Sequence, residues 1–172
     1  MRYDYQLLYK KNAQFYNARP KLKKLLFVGN TALTLGFFVA YAFLVVFALL
    51  SPENFTVYDC VKILVIPSGC LFFVAVLRVA VNRPRPYSEK GANITPLLQK
   101  KGAQDKSFPS RHLASAIVIA CVFLPYYLLI SAILFPLAIL LGYIRFALGL
   151  HYPSDLFGGA ILGGLCSLFL LL

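Results

Sequence analysis

Between Arg145 and Asp155 the chain reads Arg-Phe-Ala-Leu-Gly-Leu-His-Tyr-Pro-Ser-Asp, and these positions gather nearly all the reactive side chains of its second half between two long apolar runs. An arginine, a histidine and a carboxylate are costly at the edge of a membrane unless each finds a partner. A ligand that needs all three removes that cost, and a phosphate is the obvious one. His151, with Asp155 four residues later and Pro153 at a helix start, can set the carboxylate against one ring nitrogen and leave the other free to attack. On this stretch alone a plainer reading stays open, in which the arginine snorkels and the aspartate caps a helix.

Composition fixes the setting. Of the 172 residues, 60% are hydrophobic and only 13% charged, against about a quarter charged in soluble domains, and the mean hydropathy is +0.74. Apolar runs of spanning length recur to the last residue, so a single signal peptide does not account for them. The chain reads as an all-α, polytopic membrane helix bundle. Cys60, Cys70, Cys121 and Cys166 all fall inside apolar runs without paired short spacing. They read as small buried hydrophobes, not as a zinc site or a disulfide framework.

Several elements must position the polar residues. Residues 1–24 carry seven cations, Arg2, Lys10, Lys11, Arg19, Lys21, Lys23 and Lys24, against the single acid Asp4, interleaved with tyrosines and Phe15. This is the composition of a basic, aromatic segment lying on lipid headgroups, although a disordered tail fits it nearly as well. Pro20 separates it from a first span, Leu25 to Leu50, which a Ser51-Pro52-Glu53-Asn54 turn ends. A second span runs from Val57 to Val81 with a kink expected at Pro67 and Arg78 on its last turn. The connection from Asn82 to Phe108, with Arg83, Arg85, Lys90, Lys100, Lys101 and Lys106, is too long and too basic for a simple turn. Its extra cations, Arg83 included, read as a solvated or headgroup-facing set.

A third span is expected from Pro109-Ser110 to Leu124, with Pro125-Tyr126-Tyr127 as a tight turn at the interface. A fourth runs from there to Arg145 and a fifth from Pro153 to Leu172. In the fifth, Gly159 and Gly163 offer a small-residue face, expected to serve packing within the chain more than dimerisation. With about five transmembrane helices, 16 of the 17 cations fall on one face and only Lys62 does not, while the opposite connection carries Glu53 and Asp59. The positive-inside rule then places the charged face, the N-terminal segment and the site at one membrane edge, toward the cytoplasm.

Three constellations share that face: Arg78, six residues, Arg85-Pro86; Pro109-Ser110-Arg111-His112; and Arg145, five residues, His151, three residues, Asp155. Here the chain resembles the type 2 phosphatidic acid phosphatase family, the lipid phosphate phosphatases, whose motifs read Lys-x6-Arg-Pro, Pro-Ser-Gly-His and Ser-Arg-x5-His-x3-Asp. The resemblance spans roughly residues 78 to 155. This chain departs from it at Arg78 in place of lysine, Arg111 in place of glycine and Ile144 in place of serine. The family more often has six spans with an outward-facing site, whereas this chain reads as five with the site inward.

What the resemblance implies is an integral-membrane lipid phosphatase, with residues 25–172 as its transmembrane domain. It gives His151 the role of nucleophile forming a phosphohistidine, Asp155 that of steering its ring, and His112 that of general acid and then base. Arg78, Arg85 and Arg145 would clamp the phosphoryl oxygens, with Ser110 and backbone N–H groups at a helix start completing the cradle and Arg111 as an added phosphate contact. It implies no cofactor and no metal, and two histidines with so few carboxylates offer poor metal coordination. The partners expected are the bilayer and a lipid phosphate or diphosphate, such as a polyprenyl diphosphate (undecaprenyl diphosphate being typical), phosphatidylglycerophosphate or phosphatidic acid, and no nucleic acid. The small size suggests a bacterial plasma-membrane enzyme. Tyr87 and Tyr152, beside the motifs, read as interface anchors. Three rival functions remain: a vanadate-dependent oxidase, which the apolar spans disfavour; an inactive lipid-phosphate-binding protein, which the intact histidines and Asp155 disfavour; and a transporter, which would carry its arginines inside the spans.

Overall fold

A computed structural model of the chain describes residues 2–88, 91–92, 94–98 and 106–171. Lys90, Lys100 and Lys101 of the basic connection lie outside these residues. The described chain is all-helical: α1 (Arg2–Asn17), α2 (Pro20–Leu50), α3 (Val57–Val81), α4 (Arg111–Phe123), α5 (Leu128–Ala147) and α6 (Pro153–Ser167), closed by a 3-10 turn at Leu168–Leu171. Among the described residues, α2, α3, α5 and α6 with its closing turn are long and apolar enough to cross a membrane. The protein is therefore a multi-pass membrane bundle.

The first span begins earlier than its apolar run. α2 starts at Pro20, which suits the first helical position, so the exposed Lys21 and Lys24 extend the helix beyond its apolar part. α3 runs unbroken through Pro67, which is buried against its neighbours.

The largest departure concerns the third span. α4 has 13 residues, about 20 Å at the α-helical rise, against about 30 Å of hydrocarbon. It need not match the bilayer because protein surrounds it: α6, α5 and α3 pack on it, and Leu113, Ala114, Ala116, Val118, Ile119, Ala120 and Val122 are buried around its circumference. A helix buried on all sides has no lipid-facing stripe to set its length. Its far end is fixed by Tyr126, whose hydroxyl donates to Asp59 Oδ1 at 2.8 Å beneath the Thr56–Asp59 capping box that starts α3.

Small residues let α6 reach α4. A Cβ on Gly159 would come 2.6 Å from the carbonyl oxygen of Ser110, and one on Gly163 would come 2.7 Å from that of Ala114. The two glycines thus serve contact between helices of one chain, as expected. The consequence for the site is direct, because Asp155 stands one turn before Gly159 and its carbonyl accepts the Ser110 N–H at 2.9 Å.

Candidate active site

The long connection returns on itself and delivers both of its described ends to the bundle. Pro84 and Lys106 form an antiparallel bridge, and the Ser107 N–H donates to the Arg83 carbonyl at 2.8 Å. This lays the segment before α4 along Arg83-Pro84-Arg85. Arg78, on the last turn of α3, donates to the carbonyls of Pro109 (3.4 Å) and Lys106. Arg85 donates to the Leu150 carbonyl at 3.3 Å, tying the connection to the loop that carries His151.

That loop is shaped by Gly149, whose φ of +77° suits glycine, and by the Leu150 N–H closing on the Arg145 carbonyl at 3.1 Å. Arg145 is 1% exposed, donates to Asn30 Oδ1 of α2 at 3.1 Å, and has its Nε without a partner among the described residues. The guanidinium groups of Arg78, Arg85, Arg111 and Arg145 all lie within Coulombic reach of one another. Four like charges, three of them buried, form a field that an anion would relieve. Arg111 is exposed where the other three are buried, and it borders the cleft described below.

His151 is buried, and its Nδ1 faces Asp155 Oδ2 at 3.6 Å, an ion-pair distance longer than a hydrogen bond. Asp155 is fully buried at the start of α6, where Oδ2 accepts the Tyr152 N–H at 2.9 Å. A carboxylate at this helix position also meets the positive end of the helix dipole. Ser110, the N-cap of α4, has no exposure, and its Oγ makes no hydrogen bond among the described residues. The spacing readings thus meet in one place: Arg78, Arg85, Arg145, Ser110, His151 and Asp155 converge, with His112 in the first turn of α4.

His112 and Arg111 stand at one end of a cleft of about 330 Å³. Its walls are Phe37 and Phe38 of α2, Leu71 of α3 and Ala116 and Ile119 of α4, and Phe38 is 72% exposed on the outer, lipid-facing surface. Arg111 and His112 therefore border an apolar groove that reaches the outer surface of α2.

Two residues depart from their sequence readings. Arg83, expected on a solvated face, donates to Asp155 Oδ1 at 2.8 Å and to Ser154 Oγ at 2.7 Å, and lies over the Tyr152 ring at 4.2 Å. A signal was available, since the proline after each arginine of Arg83-Pro84-Arg85-Pro86 keeps it extended, and an extended chain returns side chains to one face every second residue. Tyr87, expected as an interface anchor, instead packs beside Leu26, Ile144 and Leu148 with its hydroxyl buried and unpartnered among the described residues. Its ring lies under Arg85, and it is within electrostatic reach of Arg78 and Arg145.

Burial pushes the His151 imidazole down to about 4; Asp155 pulls the other way, and Arg145 and Arg85 add to the depression. In the unfolded chain the ring takes up a proton near 6.5 while the folded one refuses it. Stability from this group is therefore present above about pH 6.5 and is lost as the pH falls toward 4. Melting temperatures measured across that window are expected to fall with pH, and a His151→Gln variant is expected to fall less steeply. The folded ring therefore stays largely neutral until the pH approaches 4.

The family described as the PAP2 superfamily matches residues 59–172. A lipid A 4'-phosphatase of Bacteroides thetaiotaomicron is 37% identical over 94 residues, which are 51% of this chain and 41% of that protein, so the chain spans less than half of its relative's length. Among solved structures, a transmembrane PAP2 type phosphatidylglycerolphosphate phosphatase from Bacillus subtilis superposes with a TM-score of 0.73 at 22% identity, covering 98% of this chain and 82% of its own. Aquifex aeolicus LpxE gives a TM-score of 0.58 at 29% identity, over 86% of this chain and 93% of its own.

Proposed function

The chain belongs to the PAP2 superfamily, and on that footing we propose that it is a lipid phosphatase of a bacterial plasma membrane, acting through a phosphohistidine. The observation that carries the lipid part of this reading is the cleft that joins His112 and Arg111 to the lipid-facing Phe38. A substrate whose phosphate sits at the arginines and whose chain lies along Phe37, Leu71 and Ile119 uses both ends of it.

In this reading His151 Nε2 attacks phosphorus while the bond to the leaving oxygen breaks and His112 protonates that oxygen. Water then attacks the phosphohistidine, giving its proton to His112, and the P–N bond breaks to release inorganic phosphate. Asp155 orients the ring, and Arg83 in turn holds Asp155. Arg78, Arg85, Arg145 and Ser110 meet the equatorial oxygens, where charge is spread in the transition state. Arg111, at the mouth of the cleft, meets the outer part of the headgroup.

Tyr87 adds a donor. A buried hydroxyl without a partner costs about 1–3 kcal/mol, and one set among three phosphate-binding arginines regains that cost when an oxyanion arrives. Tyr87→Phe keeps the ring packing and removes only the hydroxyl, so it is expected to lower kcat/KM about tenfold with an unchanged Tm. An unaltered kcat/KM would remove Tyr87 from the site.

The test of the reading is phosphate release in detergent, with EDTA present, from a panel holding phosphatidic acid, phosphatidylglycerophosphate and polyprenyl monophosphates and diphosphates. Turnover of at least one member supports it, and the ranking names the substrate. Binding without release across the whole panel would favour an inactive lipid-phosphate receptor, and full loss on adding EDTA would overturn the metal-independent mechanism.

A further inference from the structure

α1 has two working faces. Tyr5, Tyr9, Asn12 and Tyr16, spaced on one helical stripe, point into the protein, and each touches the segment that carries the nucleophile or its neighbour. The Tyr5 hydroxyl donates to the His151 carbonyl at 3.3 Å, Asn12 Nδ2 donates to the Ala147 carbonyl at 2.9 Å, and the Tyr16 and Tyr143 hydroxyls lie 2.9 Å apart. Tyr9 lies so close over Gly149 that a Cβ there would come 2.6 Å from its hydroxyl oxygen. Burial pushes the Tyr5 hydroxyl well up, with Tyr9 and Tyr152 adding, so it stays a donor.

The opposite face is exposed and mixes apolar and basic residues. Leu7 is 60% exposed, Leu8 51% and Phe15 45%, and Lys10 and Lys11 stand exposed among them. Leu8, Lys11 and Phe15 share one flank by their spacing. Arg19 stacks on Phe15 at 3.9 Å. The next residue, Pro20, starts the spanning helix α2, so connectivity holds α1 at the level of the headgroups. Exposed leucines and a phenylalanine bordered by lysines suit one surface, an anionic bilayer interface.

We infer that α1 is an anionic-lipid sensor: its outer face seats on acidic headgroups that are not substrate, and its inner tyrosine stripe thereby fixes the 145–151 loop for catalysis. Seating gains free energy only when α1 is docked, and the docked helix braces the His151 carbonyl and the Gly149 turn. The lipid surface and the nucleophile loop are thus coupled through one rigid element. This inference rests on the lipid phosphatase reading for its activity measurement but not for its binding measurement.

The experiment compares nanodiscs of phosphatidylcholine with discs that also hold phosphatidylglycerol, a phosphodiester, using the best monophosphate of the lipid panel as substrate. Turnover at saturating substrate is expected to rise about tenfold with the anionic lipid, and amide hydrogen exchange in α1 to slow. The double variant K10Q/K11Q loses the gain while keeping the phosphatidylcholine rate, and K10R/K11R retains it. An equal gain in K10Q/K11Q, a gain confined to the half-saturating concentration as simple substrate recruitment would give, or α1 exchange identical in the two discs would overturn the sensor. If no substrate turns over in either disc the phosphatase reading fails, and the exchange comparison still decides whether α1 docks.

Discussion

Replacing His151 with alanine is expected to abolish phosphate release, with a loss on the order of 10⁴–10⁶ in kcat, because in the proposed mechanism His151 is the group that takes the phosphoryl. The ring is 1% exposed and its backbone carbonyl is held by Tyr5, so the loop keeps its shape when the side chain is removed. The arginines remain, and the variant is expected to bind inorganic phosphate still, seen as a rise in Tm on its addition. Retention of activity above about a hundredth of the wild-type rate would exclude a phosphohistidine, since the arginine clamp by itself supplies only the electrostatic share of such catalysis.

Asp155→Asn is expected to cost about 10³–10⁴ in kcat while leaving the chain folded. The substitution keeps volume in a site with no exposure but removes the charge that Arg83 Nη1 meets at 2.8 Å and that faces His151 Nδ1 at 3.6 Å. It also turns an acceptor toward donor character beside the Tyr152 N–H, which donates to Oδ2 at 2.9 Å. Arg83 is a third exposed and can turn to water, so the stability loss is modest, about 1–3 kcal/mol. Arg83→Ala separates the two contributions. With the carboxylate still present, its loss in kcat is expected to be about tenfold, and Arg83→Lys recovers part of it. An Arg83→Ala variant as impaired as Asp155→Asn would mean that the arginine itself touches the substrate.

The membrane setting, the order of the helices and most of the candidate site were legible in the residues. Apolar runs and proline or serine helix starts are local signals, and they located α2, α3, α5 and α6 within a few residues. Arg145 on the last turn of α5, His151 in the short loop and Asp155 on the first turn of α6 lie within eleven residues, so their closeness follows from their spacing. The glycines of α6 also announced a close helix contact, and they make it with α4.

Other features depend on surroundings that no local pattern carries. Hydropathy cannot tell a helix wrapped in lipid from one wrapped in protein, and so α4 read as a full-length span although its neighbours bury it and it has only 13 residues. The prolines of Arg83-Pro84-Arg85-Pro86 set Arg83 on the face of Arg85, but only the Pro84–Lys106 bridge and the seating of α6 on α4 bring it to Asp155. Tyr87 and the tyrosines of α1 look like interface aromatics, because an amphipathic ring suits a headgroup layer as well as it suits a buried loop. Residue type and short spacing determined the chemistry this chain can attempt. Which cations face the phosphate, and what braces the nucleophile loop, were decided only by contacts between distant segments, whose geometry comes from packing.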